Sequence, residues 1–147
     1  MVWLYLFVCL LAGALMPLQA GVNAQLARWV GHPVTASLVS FAAGTLALLA
    51  YSLAFRPTLP ALGSLAEAPW WVWVGGLLGA VFVTAAAAFA PRLGAATFIS
   101  ITIAGQMLVS ILLDHFGLVG FAARAVTPLR LLGALLLVAG VLLIRKF

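Results

Sequence analysis

Long apolar runs, each about the length of a bilayer crossing, dominate the hydrophobicity pattern of this 147-residue chain. A helix needs roughly 20 predominantly apolar residues to cross about 30 Å of hydrocarbon. Five segments meet this requirement, and we predict helices over residues 2–27, 33–55, 70–90, 94–113 and 128–144. The pattern therefore predicts an all-α membrane protein whose five transmembrane helices form a single transmembrane domain over residues 1–147. The alternative is four spans and one interfacial helix.

Prolines and aromatic residues mark where several of these helices begin. Pro33 suits the first turn of the second helix, and Thr127 followed by Pro128 is typical of an N-cap and a first helical position. A tryptophan cluster opens the third segment, at the depth where amphipathic rings prefer the headgroups. These signals predict the starts of the second, third and fifth helices.

Other residues predict bends and ends. Pro17 lies inside the first apolar segment and predicts a kink there. Pro91-Arg92 is expected to end the third helix, and Asp114-His115 the fourth. The proline-rich stretch Arg56 to Pro69 is predicted to be a loop.

The amino-acid composition excludes most functions of soluble proteins. Hydrophobic residues make up 67% of the chain and charged residues 6%, whereas soluble domains carry about 25% charged residues. With one cysteine (Cys9), two histidines and two acids, no catalytic constellation or metal cluster can be assembled. We therefore expect no enzyme, no cofactor and no metal. The net charge of +5 is scattered over loops and helix ends, which favours the lipid bilayer rather than nucleic acid as the partner.

The basic residues are almost evenly divided between the two sides of the membrane. With five spans the termini lie on opposite sides, so one face carries Arg56, Arg124 and Arg130 and the other Arg28, Arg92, Arg145 and Lys146. Because an excess of Lys and Arg normally fixes orientation, this balance predicts insertion both ways and an antiparallel, dual-topology homodimer. The alternative is that a weaker cue, such as the C-terminal basic pair, fixes one orientation.

A row of polar residues runs along the fourth segment. Thr102, Gln106 and Ser110 recur every four residues and so share one helix face, and Asp114 extends the row. We predict that Gln106, near the middle of the span, lines a substrate cavity with Thr102 and Ser110. The alternative is that these side chains form hydrogen bonds between helices.

Two further sets of polar residues are candidates for the same cavity. In the first segment Gln19 and Asn23 lie four residues apart, and the alternative for Asn23 is capping or loop hydrogen bonds near the helix end. In the second segment Ser37 and Ser40 add hydroxyls, or bond back to helix carbonyls.

Asp114 and His115 form the only adjacent pair of an acid and a histidine. They are candidates for proton binding at a membrane face. Alternatively Asp114 has a structural role, accepting hydrogen bonds from the next loop or pairing with Arg130.

Small residues provide candidate packing faces. Gly75 and Gly79 form a GxxxG pair in the third segment, and Gly133 and Gly140 lie a heptad apart in the fifth. We predict that these four glycines allow close approach of helices.

Several short motifs spread over the whole chain resemble a known family. They are Asn23-Ala24-Gln25-Leu26, Pro33, Ser40-Phe41 with Gly44, Pro91-Arg92-Leu93-Gly94-Ala95-Ala96, Gly105-Gln106, Asp114-His115-Phe116-Gly117, and Arg130 with Gly133 and Gly140. Together they resemble the YdcZ-type branch of the drug/metabolite transporter superfamily. The resemblance implies a short, multi-pass bacterial inner-membrane protein similar to one five-helix half of an EamA-like transporter.

The expected function is therefore secondary transport of an unidentified small solute. Two protomers would form a ten-helix, inverted-repeat transporter that works by alternating access. The distantly related small multidrug resistance proteins carry a functional Glu in their first helix, where this chain offers only Gln19 and Asn23. The alternatives are a passive channel for small solutes and a non-transporting accessory subunit.

Overall fold

The computed structural model of the chain describes residues 1–56, 63 and 67–147, and every regular element in this part is a helix. Five helices are long and apolar enough to cross a membrane. They are α1 (Val2–Val30), α2 (Pro33–Phe55), α3 (Val74–Leu93), α4 (Ala95–Phe116) and α5 (Pro128–Lys146). A 3₁₀ turn, Trp70–Trp73, runs directly into α3 and belongs to the same span. The prediction of five candidate spans is confirmed.

Two of the helices begin where the sequence predicts, at Pro33 and after Thr127. Pro33 occupies the first turn of α2, and the Nδ1 atom of His32 accepts a hydrogen bond from the backbone N–H of Val34 at 3.2 Å. At α5 the Thr127 hydroxyl accepts from the backbone N–H of Arg130 at 3.3 Å, with Pro128 in the first turn. The Thr127 cap stabilises its helix by about 1 kcal/mol.

Four of the five predicted helix ends are too early. The first, third, fourth and fifth helices extend to Val30, Leu93, Phe116 and Lys146. Arg28, Arg92 and Arg145 do not end their helices, because arginine is a good helix former and its charge suits the last turn. Pro91 does not end α3 either; it lies in the last turn, and the helix continues for two more residues to Leu93.

A glycine, and not the polar pair Asp114-His115, ends α4. Gly117 has left-handed backbone angles of φ 60° and ψ 38°, and its N–H bonds back to the carbonyls of Asp114 and Leu113. A Cβ atom at this position would lie 3.1 Å from Cβ of Ala123. Only glycine satisfies both the backbone conformation and the contact. A short 3₁₀ turn, Leu118–Gly120, follows and leads toward Thr127.

The predicted loop from Arg56 to Pro69 falls mainly on residues 57–62 and 64–66, which lie outside the described residues.

The chain divides into two compact units. Residues 18–92 form one, the α2–α3 unit, which includes the second part of α1. Residues 1–17 and 93–147 form the other, the α4–α5 unit. One division falls directly after Pro17, the residue at which a kink was predicted. The kink itself stays a prediction.

Small residues form the buried part of the α2–α3 unit. Its buried residues are Ala20, Asn23, Ala24, Ala36, Ser37, Val83, Ala86, Ala87 and Ala90. Most are alanines, which let helix backbones approach closely, whereas the leucines are largely exposed. This distribution is expected where the surrounding solvent is lipid, because burying leucine brings no gain over leaving it among acyl chains.

In the α4–α5 unit the two helices pack against each other. Phe98 and Ala134 are its buried apolar residues. The chain between the two helices folds back on α4: the backbone N–H of Arg124 donates to the carbonyl of Asp114 at 2.6 Å. The end of α4 and the start of α5 are thereby held together.

Candidate functional site

The polar row on α4 differs in exposure along its length. Thr102 is half-buried, whereas Gln106 and Ser110 are exposed on the single chain. The Thr102 hydroxyl donates to the carbonyl of Ile99 at 2.9 Å, so its proton is used within its own helix. The side chain of Gln106 forms no hydrogen bond with the described residues. The two donor hydrogens and the acceptor oxygen of its amide group are therefore all available.

The two polar residues of α1 lie in different environments. Gln19 is exposed, whereas Asn23 is only 3% exposed. Because α1 continues to Val30, Asn23 lies inside the helix, and the capping alternative is wrong. Its Nδ2 atom is buried without a hydrogen-bond partner among the described residues. Both residues belong to the α2–α3 unit, whereas the α4 row belongs to the α4–α5 unit.

Asp114 and Arg130 form an ion pair, as one of the two alternatives for Asp114 predicted. The Oδ2 atom of Asp114 lies 3.2 Å from Nη2 of Arg130, and the side chains are 31% and 33% exposed. Each charge is unfavourably placed on its own helix, since an acid lies in the last turn of α4 and a base in the first turn of α5. The contact brings each charge to the terminus of the other helix, where the helix dipole favours it.

His115 holds the chain that follows α4. Its Nδ1 atom accepts a hydrogen bond from the backbone N–H of Val126 at 3.4 Å, and its ring meets Phe116 edge-on at 4.7 Å. These contacts give His115 a positioning role at the α4–α5 junction. A part in proton binding for His115 or Asp114 stays a prediction.

A cleft of about 260 Å³ opens beside the ion pair. Its polar lining is formed by Ser110, Asp114 and Arg130, and its apolar lining by Met107, Ile111, Gly133, Ala134 and Leu137. The structure thus brings two members of the α4 row, Ser110 and Asp114, to one cleft with a base from α5. Gln106 and Thr102 do not line this cleft.

The hydroxyl of Thr84 was missed by the sequence analysis. It donates to the Ser37 hydroxyl at 2.9 Å and joins α3 to α2, while Ser37 donates back to the carbonyl of Pro33 at 3.0 Å. The back-bonding alternative for Ser37 is therefore correct. Thr84 is the only residue between Trp70 and Leu93 with a hydroxyl group, which is a signal that sequence reasoning could have used.

Two apolar grooves of about 450 and 340 Å³ lie beside the hydrogen bond between Thr84 and Ser37. Both grooves are lined by Val34, Ala80 and Thr84. Their walls offer little beyond the Thr84 and Ser37 hydroxyls for recognising a polar solute.

The four candidate packing glycines differ in how closely other residues approach them. A Cβ atom on Gly79 would lie 3.4 Å from the Phe41 ring, so this glycine faces α2 closely. Gly75, Gly133 and Gly140 have open space around them, and Gly133 and Gly140 line a second α4–α5 cleft of about 420 Å³. Packing roles for these three stay predictions.

Within residues 1–56, 63 and 67–147, no group of three or more His, Cys, Asp or Glu side chains is placed to hold a metal ion.

Comparison with known proteins gives two findings. A family model described as "Putative inner membrane exporter, YdcZ" matches residues 4–143. A protein of Escherichia coli (strain K12), "Inner membrane protein YdcZ", is 34% identical over 93 residues, which cover 63% of this chain and 62% of that protein. The match therefore spans less than two thirds of this relative. No solved structure matches the chain.

Proposed function

This chain belongs to the YdcZ family and is a multi-pass inner-membrane protein, and from that premise we propose that it is a secondary transporter of a small solute. Two five-helix protomers form an antiparallel homodimer with ten helices. At its site the solute contacts Gln106, Thr102 and Ser110 of α4, and substrate-binding roles for Gln19 and Asn23 of α1 stay predictions. Alternating access results when the two protomers exchange inequivalent conformations around that site.

The exposure of Gln106 is the observation that carries this proposal. An amide near the middle of a membrane span is costly in lipid, because hydrocarbon offers it no hydrogen bond. On the single chain Gln106 and Ser110 are both exposed. A second protomer that covers this face removes the cost and encloses a cavity with polar walls.

The charge distribution supports an antiparallel partner. An odd number of spans places the termini on opposite sides, and three basic residues on one face oppose four on the other. Such a small difference imposes little orientation. Copies inserted in opposite directions would therefore form in comparable amounts and be available to pair.

Uptake into proteoliposomes tests the transport function. The purified protein is reconstituted, and a panel of labelled solutes is screened with and without imposed proton and sodium gradients. We expect at least one solute to accumulate above its equilibrium concentration when a gradient is applied. Movement that only equalises the solute concentration would indicate a channel. If no solute in the panel moves, the result would contradict both the transporter and the channel.

Orientation in intact cells tests the antiparallel dimer. We expect a reporter fused to the C-terminus to be found on both sides of the inner membrane. Several lysines added to one terminus should force one orientation and reduce uptake, while co-expression with a copy forced the other way should restore it. A C-terminus that is always cytoplasmic would contradict the antiparallel arrangement.

A further inference from the structure

The cleft beside the Asp114–Arg130 pair has a polar end and an apolar end. Ser110, Asp114 and Arg130 form the polar end, and Met107 and Leu137 lie among the apolar residues of the wall. Its volume of about 260 Å³ is slightly below the range typical of sites for drug-sized ligands, about 300 to 1,000 Å³. A cleft of this size and character suits a small amphiphilic solute.

Arg130 has a donor that the ion pair does not use. Its Nη2 atom pairs with Asp114, but its Nη1 atom is buried and has no hydrogen-bond partner among the described residues. A buried donor without an acceptor is costly, and more so when it carries charge. Since the guanidinium is a planar fork of fixed donors, Nη1 can donate to a second oxyanion while Nη2 keeps its bond to the Asp114 carboxylate.

The charge of the α4–α5 unit also favours an anion. Asp114 is the only acid in residues 1–17 and 93–147, and two bases, Arg124 and Arg130, lie at the same end of this unit. The one carboxylate is already paired with Arg130. A cationic solute would therefore compete with Arg130 for Asp114, while an anion would meet an unused donor.

We infer that this cleft binds the carboxylate of a small amphiphilic organic acid. Nη1 of Arg130 donates to one carboxylate oxygen, the Ser110 hydroxyl is available as a second donor, and the apolar body of the acid lies toward Met107 and Leu137. The cleft shares Ser110 with the proposed solute site, whereas Gln106 and Thr102 do not line it. The inference therefore concerns a second binding site and does not depend on the transport function. Binding is measurable without transport.

A three-ligand comparison on the full-length protein tests the inference. The protein is placed in nanodiscs of zwitterionic phosphatidylcholine, and binding of sodium butyrate, butyramide and butylamine is followed by saturation-transfer NMR and titration calorimetry. The three ligands share an apolar body and differ in head group. We expect saturable binding of butyrate, with butyramide weaker by about tenfold, because charge-assisted hydrogen bonds are about twice as strong as neutral ones. Butylamine that binds as tightly as butyrate would overturn the inference.

Substitutions at the ion pair give effects of opposite sign. Arg130→Gln should weaken butyrate binding by about tenfold or more, the loss expected for a hydrogen bond to a charged group. Asp114→Asn removes a repulsive carboxylate and frees Nη2, so butyrate should bind at least as tightly as before. Loss of binding in a folded Asp114→Asn protein would contradict the assignment of Arg130 as the donor.

A bulk substitution tests the cleft without altering any charge. A Cβ atom on Gly133 meets nothing within 4 Å, so Gly133→Leu is expected to project into the cleft and to abolish butyrate binding. Ala139→Leu is the matched control, since Ala139 lies on the exposed side of α5 and should leave binding unchanged. If Arg130→Gln does not fold, the comparison of Gly133→Leu with Ala139→Leu tests the inference instead. Unchanged butyrate binding in Gly133→Leu would overturn it.

An anionic lipid headgroup offers the same oxyanion chemistry as a free acid. Repeating the titration in nanodiscs that contain phosphatidylglycerol separates the two sources. Unchanged butyrate affinity supports a soluble acid, whereas loss of butyrate binding would assign the cleft to a lipid and overturn the inference. Butyrate binding in a protein that moves no solute would count against the transport function alone. Uptake of a solute without butyrate binding would count against the inference alone.

Discussion

The carboxylate of Asp114 and the guanidinium of Arg130 lie 3.2 Å apart, each at the helix end where its own helix dipole disfavours its charge. The contact places each charge at the favourable terminus of the neighbouring helix. Because the two residues are 16 positions apart, the pair also closes the segment between α4 and α5. It therefore acts on stability at the same place where the proposed cleft opens.

Asp114→Asn and Arg130→Gln should each lower the free energy of unfolding by roughly 1 to 3 kcal/mol, between the values for exposed and fully buried pairs, since both side chains are about one third exposed. The double substitution should cost less than the sum of the two, because the pair acts as a unit. Thermal unfolding in detergent, followed by circular dichroism, measures all three.

The same Asp114→Asn protein tests the proton-binding alternative. If Asp114 has only a structural role, the pH dependence of transport should be unchanged once uptake is corrected for folded protein. A shifted pH profile in well-folded protein would instead place Asp114 in the coupling mechanism.

Gly117→Ala should destabilise the protein by about 1 to 3 kcal/mol, because alanine would have to adopt a left-handed conformation and its Cβ would crowd Ala123. The matched control is Gly105→Ala in the same helix, where nothing lies within 4 Å of the added Cβ. This change should leave stability unchanged or raise it by up to about 1 kcal/mol, since alanine favours helix. Equal melting temperatures for the two variants would show that Gly117 does not form the left-handed cap of α4.

Thr84→Val should lower the free energy of unfolding by about 0.6 to 2 kcal/mol, the value typical of hydrogen bonds between membrane helices. Valine keeps the shape of threonine but cannot donate to the Ser37 hydroxyl. Thr45→Val in α2 is the control, since Thr45 is exposed on the single chain. A Thr84→Val protein as stable as the Thr45→Val protein would argue against the α2–α3 hydrogen bond.

Gln106→Leu should abolish or strongly weaken transport while the dimer still assembles. Leucine approximates the size of glutamine and removes all of its hydrogen bonds, and Gln106 has no partner among the described residues that would be left unpaired. Uptake in proteoliposomes and the oligomeric state by light scattering are measured on the same preparation. Weaker folding or assembly, with transport falling only in proportion to folded protein, would indicate that Gln106 bridges helices.

The local sequence pattern does not predict which hydroxyls on different helices meet, nor how deeply each polar side chain is buried. Ser37 and Thr84 are 47 positions apart, and nothing in the local pattern around either residue indicates the other. Gln19 and Asn23 share a helix face in the sequence pattern, yet one is exposed and the other buried. How deeply each residue is covered depends on how the alanine-rich helix faces approach, and this is set by the packing of several helices at once.

Hydropathy and local chemistry by themselves determined the lipid environment, the five candidate spans, the helix start at Pro33 and the cap at Thr127. These features depend on the length of an apolar run and on neighbouring residues, so they can be read within a window of one or two turns. Only the tertiary structure decided that Asp114 pairs with Arg130 and that Nη1 of Arg130 is buried beside a cleft. Both features depend on the angle and rotation at which α4 and α5 meet, and side chains distant in sequence set both.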